Sequence, residues 1–550
     1  MLCVPKQMKK PFLAVSALLA CMCGAWWPLA SMAAEPASLN FDVLEYVIVG
    51  NTVLPPDVVE HAVQAYMGPC STLKDVEAAR TALEKAYQDA GFLSVVVSVP
   101  SQQVSSGEIT LEITQAAVQK LKITGAQYNL PSHIAEQMGS VQPGQVPYFP
   151  QMQDELAQVQ RNDLQITPLI SAGDRPDQIQ VELKVEDKPA VSGSVELNSK
   201  QSFNTTRGRV EAVAMYNNLF QRGHSAGLSW QYAPRRPGDA NTLTGIYGFP
   251  MSRDDRMSLT FTHSNTDTPT GTSLGGATLS RGDFFSARWH HDLPAGPWPV
   301  SHSTWLGLDI KHTLDGTRTS GGLSTEKPAL RYSTVGAGYD LYWRGESQSN
   351  TGFHTSLSTS TKDLSARDVN CEGVQLDQFE CKRAGARNDF LVLKLGVDHS
   401  RDVGSGWVAG GRLEGQLASG PLVSGEQYAL GGMDSVRGYY DYEQVGDVGW
   451  NLQLNLKTPA WFDMAGWRLS GQTFVDRGGV LLHQPQSGQV ARAQLGSWGL
   501  GLKMDNGKGL QLDWDVARPI FVTYRAADSG TFQQATGHRP RWGLRAVQEF

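Results

Sequence analysis

The residues best spaced for chemistry are an arginine and an aspartate far apart in the chain. Arg437 lies in Val436-Arg437-Gly438-Tyr439, within a long stretch that opens with Gly431-Gly432, and Asp476 lies in Phe474-Val475-Asp476-Arg477-Gly478. Phe474 and Asp476 are two positions apart, so on a strand they share a face. An arginine on a loop reaching that face would meet Asp476 in a charge-assisted, partly desolvated pair, with Phe474 packed beside it. Such a contact holds two surfaces together rather than turning over a substrate. The plainer alternative is a surface turn at 476–479 and a solvated Arg437.

Other candidate groups carry less. Asp505-Asn506-Gly507-Lys508-Gly509 lacks the glycine spacing and the serine of a phosphate loop and reads as a hairpin turn. Arg281-Gly282-Asp283 has the form of an adhesion tripeptide, a combination chance readily supplies, and His290-His291 has no acid or thiol cluster in sequence to complete a metal site. No nucleophile, base and orienting group converge, so an enzyme, a cofactor and a metal are not expected. Cys371 and Cys381, ten residues apart in a polar stretch, could form a disulfide in an oxidising compartment, whereas Cys70 reads as a small buried residue.

The elements that must position these residues begin with a leader. Lys6, Lys9 and Lys10 precede an apolar stretch from Phe12 to Ala20, and Ser31-Met32-Ala33 supplies small residues, so 1–33 reads as a secretory signal. Met8 is an alternative start, and Leu18-Leu19-Ala20-Cys21 resembles a lipobox, although apolar character continues through Trp26 and Trp27. Losing the leader's three lysines makes the net charge of −7 more negative, which argues against nucleic acid as a partner. Beyond the leader no run of apolar residues is long enough for a membrane helix, so membrane residence would require a closed barrel.

A short linker, 34–40, leads into 41–115, which reads as strand, two helices and two strands. Phe41 to Val49 is β-rich, Asp57 to Met67 and Val76 to Tyr87 have helical spacing, and Phe92 to Val99 and Ile109 to Thr114 are β-rich. Residues 116–188 repeat the order more weakly: Leu121-Lys122-Ile123-Thr124-Gly125 parallels Tyr46-Val47-Ile48-Val49-Gly50, with helices expected at 134–138 and 152–164 and a strand at 179–185. From 189 to 550 the pattern becomes strict period-two alternation, as in Trp450, Leu452, Leu454 and Leu456 against Asn451, Gln453, Asn455 and Lys457. About sixteen strands fit, the even number of bacterial barrels. Short turns are expected at 219–223, 251–255, 401–405 and 505–508, and long outer loops at 265–280, 313–330, 361–388, 418–446, 477–493 and 519–539. Trp542, Leu544 and Phe550 share one face of a terminal strand.

Taken together, Val436-Arg437-Gly438-Tyr439, the F-x-D-x-G of Phe474, Asp476 and Gly478, and the tandem βααββ units resemble the transporters of two-partner secretion, the haemolysin secretion/activation family. Asn217-Asn218-Leu219-Phe220-Gln221-Arg222-Gly223-His224 is similar to the same family. The resemblance covers essentially the whole mature chain. It implies a mainly β protein, with two periplasmic POTRA domains and a 16-stranded antiparallel transmembrane β-barrel in the bacterial outer membrane. It also implies a secreted partner exoprotein, bound by the POTRA domains and exported without nucleotide hydrolysis, and a lumenal Arg437–Asp476 contact between loop tip and barrel wall. Lipopolysaccharide, the barrel-assembly machinery reading the terminal aromatic strand, and periplasmic chaperones are the further partners it implies. Many members plug the pore with a helix ahead of the first POTRA domain; residues 34–40 are too few for one at 1.5 Å per residue. An assembly factor of the same superfamily is the main rival, a passive channel the second.

Overall fold

The computed structural model describes residues 40–550, apart from 271–278, 319–323, 346–348, 362–364, 527–538 and the single positions 105, 162, 204, 295, 297, 298, 315, 327, 372, 465 and 488. The leader expected at 1–33 lies outside the described residues. The chain divides into two compact units, up to Lys188 and from Pro189 onward.

The first unit holds two βααββ modules. In the first, β1 (Phe41–Val43) pairs with β3 (Gly68–Ser71), while β2 (Glu45–Val49), β4 (Val95–Ser98) and β5 (Glu108–Gln115) form a sheet in the order β2-β5-β4. Helices α1 (Pro56–Gln64) and α2 (Leu73–Asp89) cover it, and Val59, Val63, Ala79, Leu83, Tyr87 and Leu111 meet in a dry core. Proline at the first turn starts α1, and the Asp75 carboxylate accepts the Thr72 N–H at 2.8 Å where α2 begins. The second module repeats this with β6 (Ala117–Thr124), α3 (Pro131–Gln137), α4 (Phe149–Val159), β7 (Leu164–Ala172) and β8 (Gln178–Asp187), in the sheet order β6-β8-β7.

A pair of glycines marks the repeat. Gly50 and Gly125 end the first strand of their sheets at φ +93° and +84°, and a Cβ there would lie 2.4 Å from the Ile113 carbonyl oxygen and 2.3 Å from that of Val185. Only glycine permits both the backbone angle and the approach.

The second module departs from its sequence reading in one place. The helix expected to run to Leu164 stops at Val159, and Leu164 instead opens β7. Met152, Leu156 and Val159 complete the buried stripe of α4, and Gln160 turns to extended backbone. Cys70 is also unlike its reading: it is exposed, at φ 59°.

The second unit is one closed antiparallel barrel. Its wall begins with β9 (Val191–Asn198), β10 (Arg209–Leu219), β11 (His224–Tyr232) and β12 (Asn241–Pro250). It continues with β13 (Asp255–Thr270), β14 (Leu279–Asp292) and β15 (Val300–Thr313). A hairpin, β16 (Gly316–Arg318) and β17 (Ser324–Glu326), precedes β18 (Leu330–Arg344) and β19 (Asn350–Ser360). The next connection carries β20 (Asp368–Cys371), β21 (Val374–Asp377) and α5 (Gln378–Lys382). After β22 (Leu391–Gly404) and β23 (Trp407–Ala418), another holds the small pair β24 (Tyr428–Leu430) and β25 (Gln444–Gly446). Then come β26 (Val448–Lys457), β27 (Phe462–Met464), β28 (Trp467–Leu481), β29 (Val490–Asp505), β30 (Leu510–Ala526) and β31 (Arg541–Glu549). β26 and the short β27 both pair with β28, so the wall has sixteen positions, and β31 pairs with β9 to close it.

The side chains invert the usual globular pattern. Thr244 and Thr262 face inward, fully buried, their hydroxyls 3.1 Å apart across β12 and β13. Leu243, Phe261, Leu454 and Leu500 point outward and are exposed. An apolar outer band around a polar interior suits lipid outside and water within. Among the described residues no helix is long and apolar enough to cross a membrane; the crossing belongs to the strands.

Connections at the end where β9 starts are short, including 220–223, 251–254, 405–406 and 506–509. Those at the other end include the long 361–390 and 419–447. The loop expected at 477–493 shrinks to 482–489, because β28 runs on through Gly478 and Gly479 to Leu481.

Candidate functional site

The connection 419–447 brings its middle against the inner wall. Val448 follows immediately on Asp447, and β24 pairs with β25 to hold the loop as a narrow ribbon. Between these small strands, Gly431 and Gly432 adopt φ +106° and +100°, turning the chain so that 436–439 meets β28 and β29.

At that contact Arg437 forks onto Asp476. Its Nε donates to Oδ2 and its Nη2 to Oδ1, both at 2.8 Å, and the Arg437 backbone N–H donates to Oδ2 at 3.1 Å. Asp476 is fully buried, and the guanidinium carbon sits 3.4 Å above the centre of the Phe474 ring. A planar cation with two parallel donors and a face for stacking is what only arginine supplies here. Removing one partner of such a pair strands a buried charge, at a cost of about 3–5 kcal/mol.

The neighbouring motif residues each answer a local demand. Val436 is fully buried with Leu430, Val480, Ala493 and Leu495. Gly438 has φ +92°, and a Cβ there would come 3.1 Å from that of Ala517. The Tyr439 hydroxyl donates to the Gly496 carbonyl at 2.9 Å, and burial pushes its pKa up to about 12, so it remains a donor. Gly478 leaves a notch in β28: a Cβ would lie 2.4 Å from Leu430 Cδ1 and 2.8 Å from the Trp450 carbonyl oxygen.

Sequence reasoning missed four further anchors of the same loop. Asp441 accepts the Gln201 N–H at 2.8 Å and donates its own N–H to the Gln201 carbonyl at 2.9 Å, while Lys200 pairs with Asp434 at 2.7 Å. Glu426 is buried against Lys311 of β15 and accepts the Tyr332 hydroxyl of β18 at 2.7 Å. Burial opposes ionisation of Glu426, yet Lys311 and the Tyr332 hydroxyl hold its pKa below the usual carboxylate value. Asp447 meets Arg383 from connection 361–390. These anchors lie 64 to 240 residues from their partners and follow no period, so no local pattern in the sequence joins them.

Beneath the loop is a cavity of about 850 Å³ bordered by Glu196, Arg209, Glu211, Arg412, Glu414 and Arg437 among others. Charges of both signs line it, so it is built to hold water.

The remaining candidates lie elsewhere. Cys371 and Cys381 form a disulfide with Cα atoms 5.7 Å apart, bridging β20 and α5. Trp542, Leu544 and Phe550 are exposed; Trp542 and Leu544 lie on the outer face of β31, and Phe550 exchanges two 3.0 Å backbone hydrogen bonds with Gly193 across the closing seam. His291 does find an acid, Asp255, at 2.9 Å across β13 and β14. Among the described residues no group of His, Cys, Asp and Glu is arranged to hold a metal ion.

Residues 41–116 match the family model of the POTRA domain, ShlB-type, and 343–504 match that of haemolysin secretion/activation protein ShlB/FhaC/HecB. The outer membrane transporter CdiB of Escherichia coli is 24% identical over 441 residues, covering 76% of this chain and 68% of that protein. The solved CdiB from Escherichia coli superposes with a TM-score of 0.62 at 17% identity, covering 95% of this chain and 92% of that one. BamA from Haemophilus ducreyi lacking POTRA domains 1–3 gives 0.52 at 14% identity, with 93% and 100% covered. At those identities the two structures speak for the fold.

Proposed function

The chain is an outer-membrane transporter of the two-partner secretion, ShlB/FhaC/HecB type, and from that premise we propose that it exports one partner exoprotein by moving the 419–447 loop within its barrel. Residues 41–115 and 116–188 serve as two periplasmic POTRA domains and 189–550 as the conduit. The exoprotein arrives unfolded and pairs as an added strand with a sheet edge of the POTRA domains, a mode that uses backbone hydrogen bonds and tolerates sequence variation. It then passes through the wet lumen, and its folding outside supplies direction in a compartment without nucleotide. Lipopolysaccharide meets the outward apolar band, and periplasmic chaperones deliver the chain to an assembly machinery that reads the terminal strand with Trp542, Leu544 and Phe550.

The observation that carries this reading is the ion pair of Arg437 and Asp476. A passive channel has no use for a lumenal loop fixed by a buried charge pair, whereas a conduit that must close at rest and open for a polypeptide does. Arg437→Ala is expected to lower exoprotein in the medium at least ten-fold, while the amount of barrel in the outer membrane and its heat-modifiable migration stay near wild type. Undiminished export would remove the role from Arg437. Loss of other outer-membrane proteins instead would favour an assembly factor.

A further inference from the structure

The connection 361–390 builds a small folded cap of its own. The Asp377 carboxylate accepts the Phe379 N–H at 2.9 Å to start α5, and the Cys371–Cys381 disulfide ties that helix to β20. Two side chains root the helix in the barrel. Phe379 is fully buried, its ring 5.3 Å from that of Tyr332 on β18. Gln378 mimics a strand: its amide nitrogen donates to the Arg331 carbonyl at 2.7 Å, and its amide oxygen accepts the Arg331 N–H at 3.0 Å.

Arg383, directly after the helix, points from this cap into the root of the 419–447 loop. Its Nη2 donates to Asp447 Oδ2 at 2.7 Å and to the His483 carbonyl at 2.9 Å, and its Nη1 donates to Asp447 Oδ1 and, at 2.6 Å, to the Leu422 carbonyl. Asp447, fully buried, also accepts the Leu422 N–H at 3.0 Å and the His483 N–H at 2.7 Å. Leu422 lies near the start of the loop, Asp447 at its end, and His483 in the next connection. One guanidinium–carboxylate pair therefore binds three connections at a single buried point, and every donor it uses has an acceptor.

We infer that Arg383 and Asp447 form a second latch on the 419–447 loop, at its outer root, and that the Cys371–Cys381 disulfide is the strut that aims Arg383. This deepens the transport reading by naming positioning residues on a surface cap for the movement that reading requires. The two latches hold different ends of one ribbon. With either intact, the ribbon stays in the lumen. Releasing one alone changes the closed state little, and releasing both leaves the loop on its lesser anchors at Glu426, Asp434 and Asp441, from which it opens far more often.

The resting current of the purified full chain in planar bilayers tests this without any exoprotein, so it stands apart from the export assay. Arg437→Ala and Arg383→Gln are each expected to raise mean resting current by about two-fold, and the double variant by at least ten-fold, more than the product of the singles. Arg383→Lys, which keeps the charge but loses the fork, is expected to restore only part of the closure. Inserted Arg437→Ala protein treated with a phosphine reductant should show the same rise without refolding, and Cys371→Ser/Cys381→Ser in that background should not respond to it. A double variant no leakier than Arg437→Ala, or a reductant that leaves the Arg437→Ala current unchanged, would overturn the second latch. Heat-modifiable migration separates leak from misfolding; if an Arg383 variant fails to assemble, the reductant arm, which leaves Arg383 and Asp447 unsubstituted, decides.

Discussion

The POTRA unit and the barrel bury opposite chemistries, and the contrast locates function. In the first, what is dry is apolar: Leu83, Tyr87 and Leu111 are fully buried beneath two helices. In the second, polar and charged groups are dry as well: Asp476, Asp447, Thr244 and Thr262 are fully buried beside apolar Leu430, Val436 and Phe379, while Leu500 and Trp514 face outward. A core of hydrocarbon resists change because any void costs dispersion and transfer energy together. A lumen of paired charges can rearrange, since water can replace a lost partner once the site opens. On the proposed transport reading, the periplasmic unit is expected to be the rigid part and the charged lumen the part that rearranges.

The largest effect should come from damaging the rigid side. Leu83→Ala removes a fully buried side chain and is expected to destabilise its module by about 2–5 kcal/mol. Limited proteolysis of the full chain in membranes should cut within 41–115, with the barrel still heat-modifiable. Equal protease resistance would mean that the module's stability does not rest on this core. On the moving side, Gly478→Ala fills the notch occupied by Leu430, and overpacking of this kind costs about 1–3 kcal/mol. With both latches intact we expect a displaced but still docked loop, a rise in resting current smaller than that of Arg437→Ala, and no lost protease resistance in 41–115; an unchanged current would show that the notch does not position the loop.

The smallest effect sharpens the contrast through pH. Burial raises the Asp441 carboxyl to about 6, with Lys200 opposing and Asp434 reinforcing the shift. The docked loop therefore binds a proton more tightly than a released one, whose carboxyl returns to the ordinary value near 4. Acid favours docking, the advantage being complete below about 4 and lost as pH rises through about 6. Resting current should fall modestly over that window on acidification, and Asp441→Asn should flatten the slope. A slope that survives in Asp441→Asn belongs to other groups.

Much of this was legible because period-two alternation is a local property. Leu452, Leu454 and Leu456 announce a strand by themselves, and tandem modules repeat their glycine. The tip contact was legible through the family resemblance; geometry alone added that Phe474 and Asp476 share a face and left a surface turn as the plainer reading. β7 was hidden because Thr167-Pro168-Leu169-Ile170 breaks alternation with a proline and two adjacent apolar residues. The extent of β28 was hidden because Gly478-Gly479 looks like a turn when nothing shows what leans on it. Arg383 and Asp447 were hidden more deeply, since only the folded cap brings them together.

The outward face of Leu228, Phe261, Leu454 and Leu500 makes the surrounding amphiphile a component of the native state rather than a solvent for it. Melting temperature and resting current should therefore vary with acyl-chain length. Values taken in one detergent and compared with values from another would describe two different complexes.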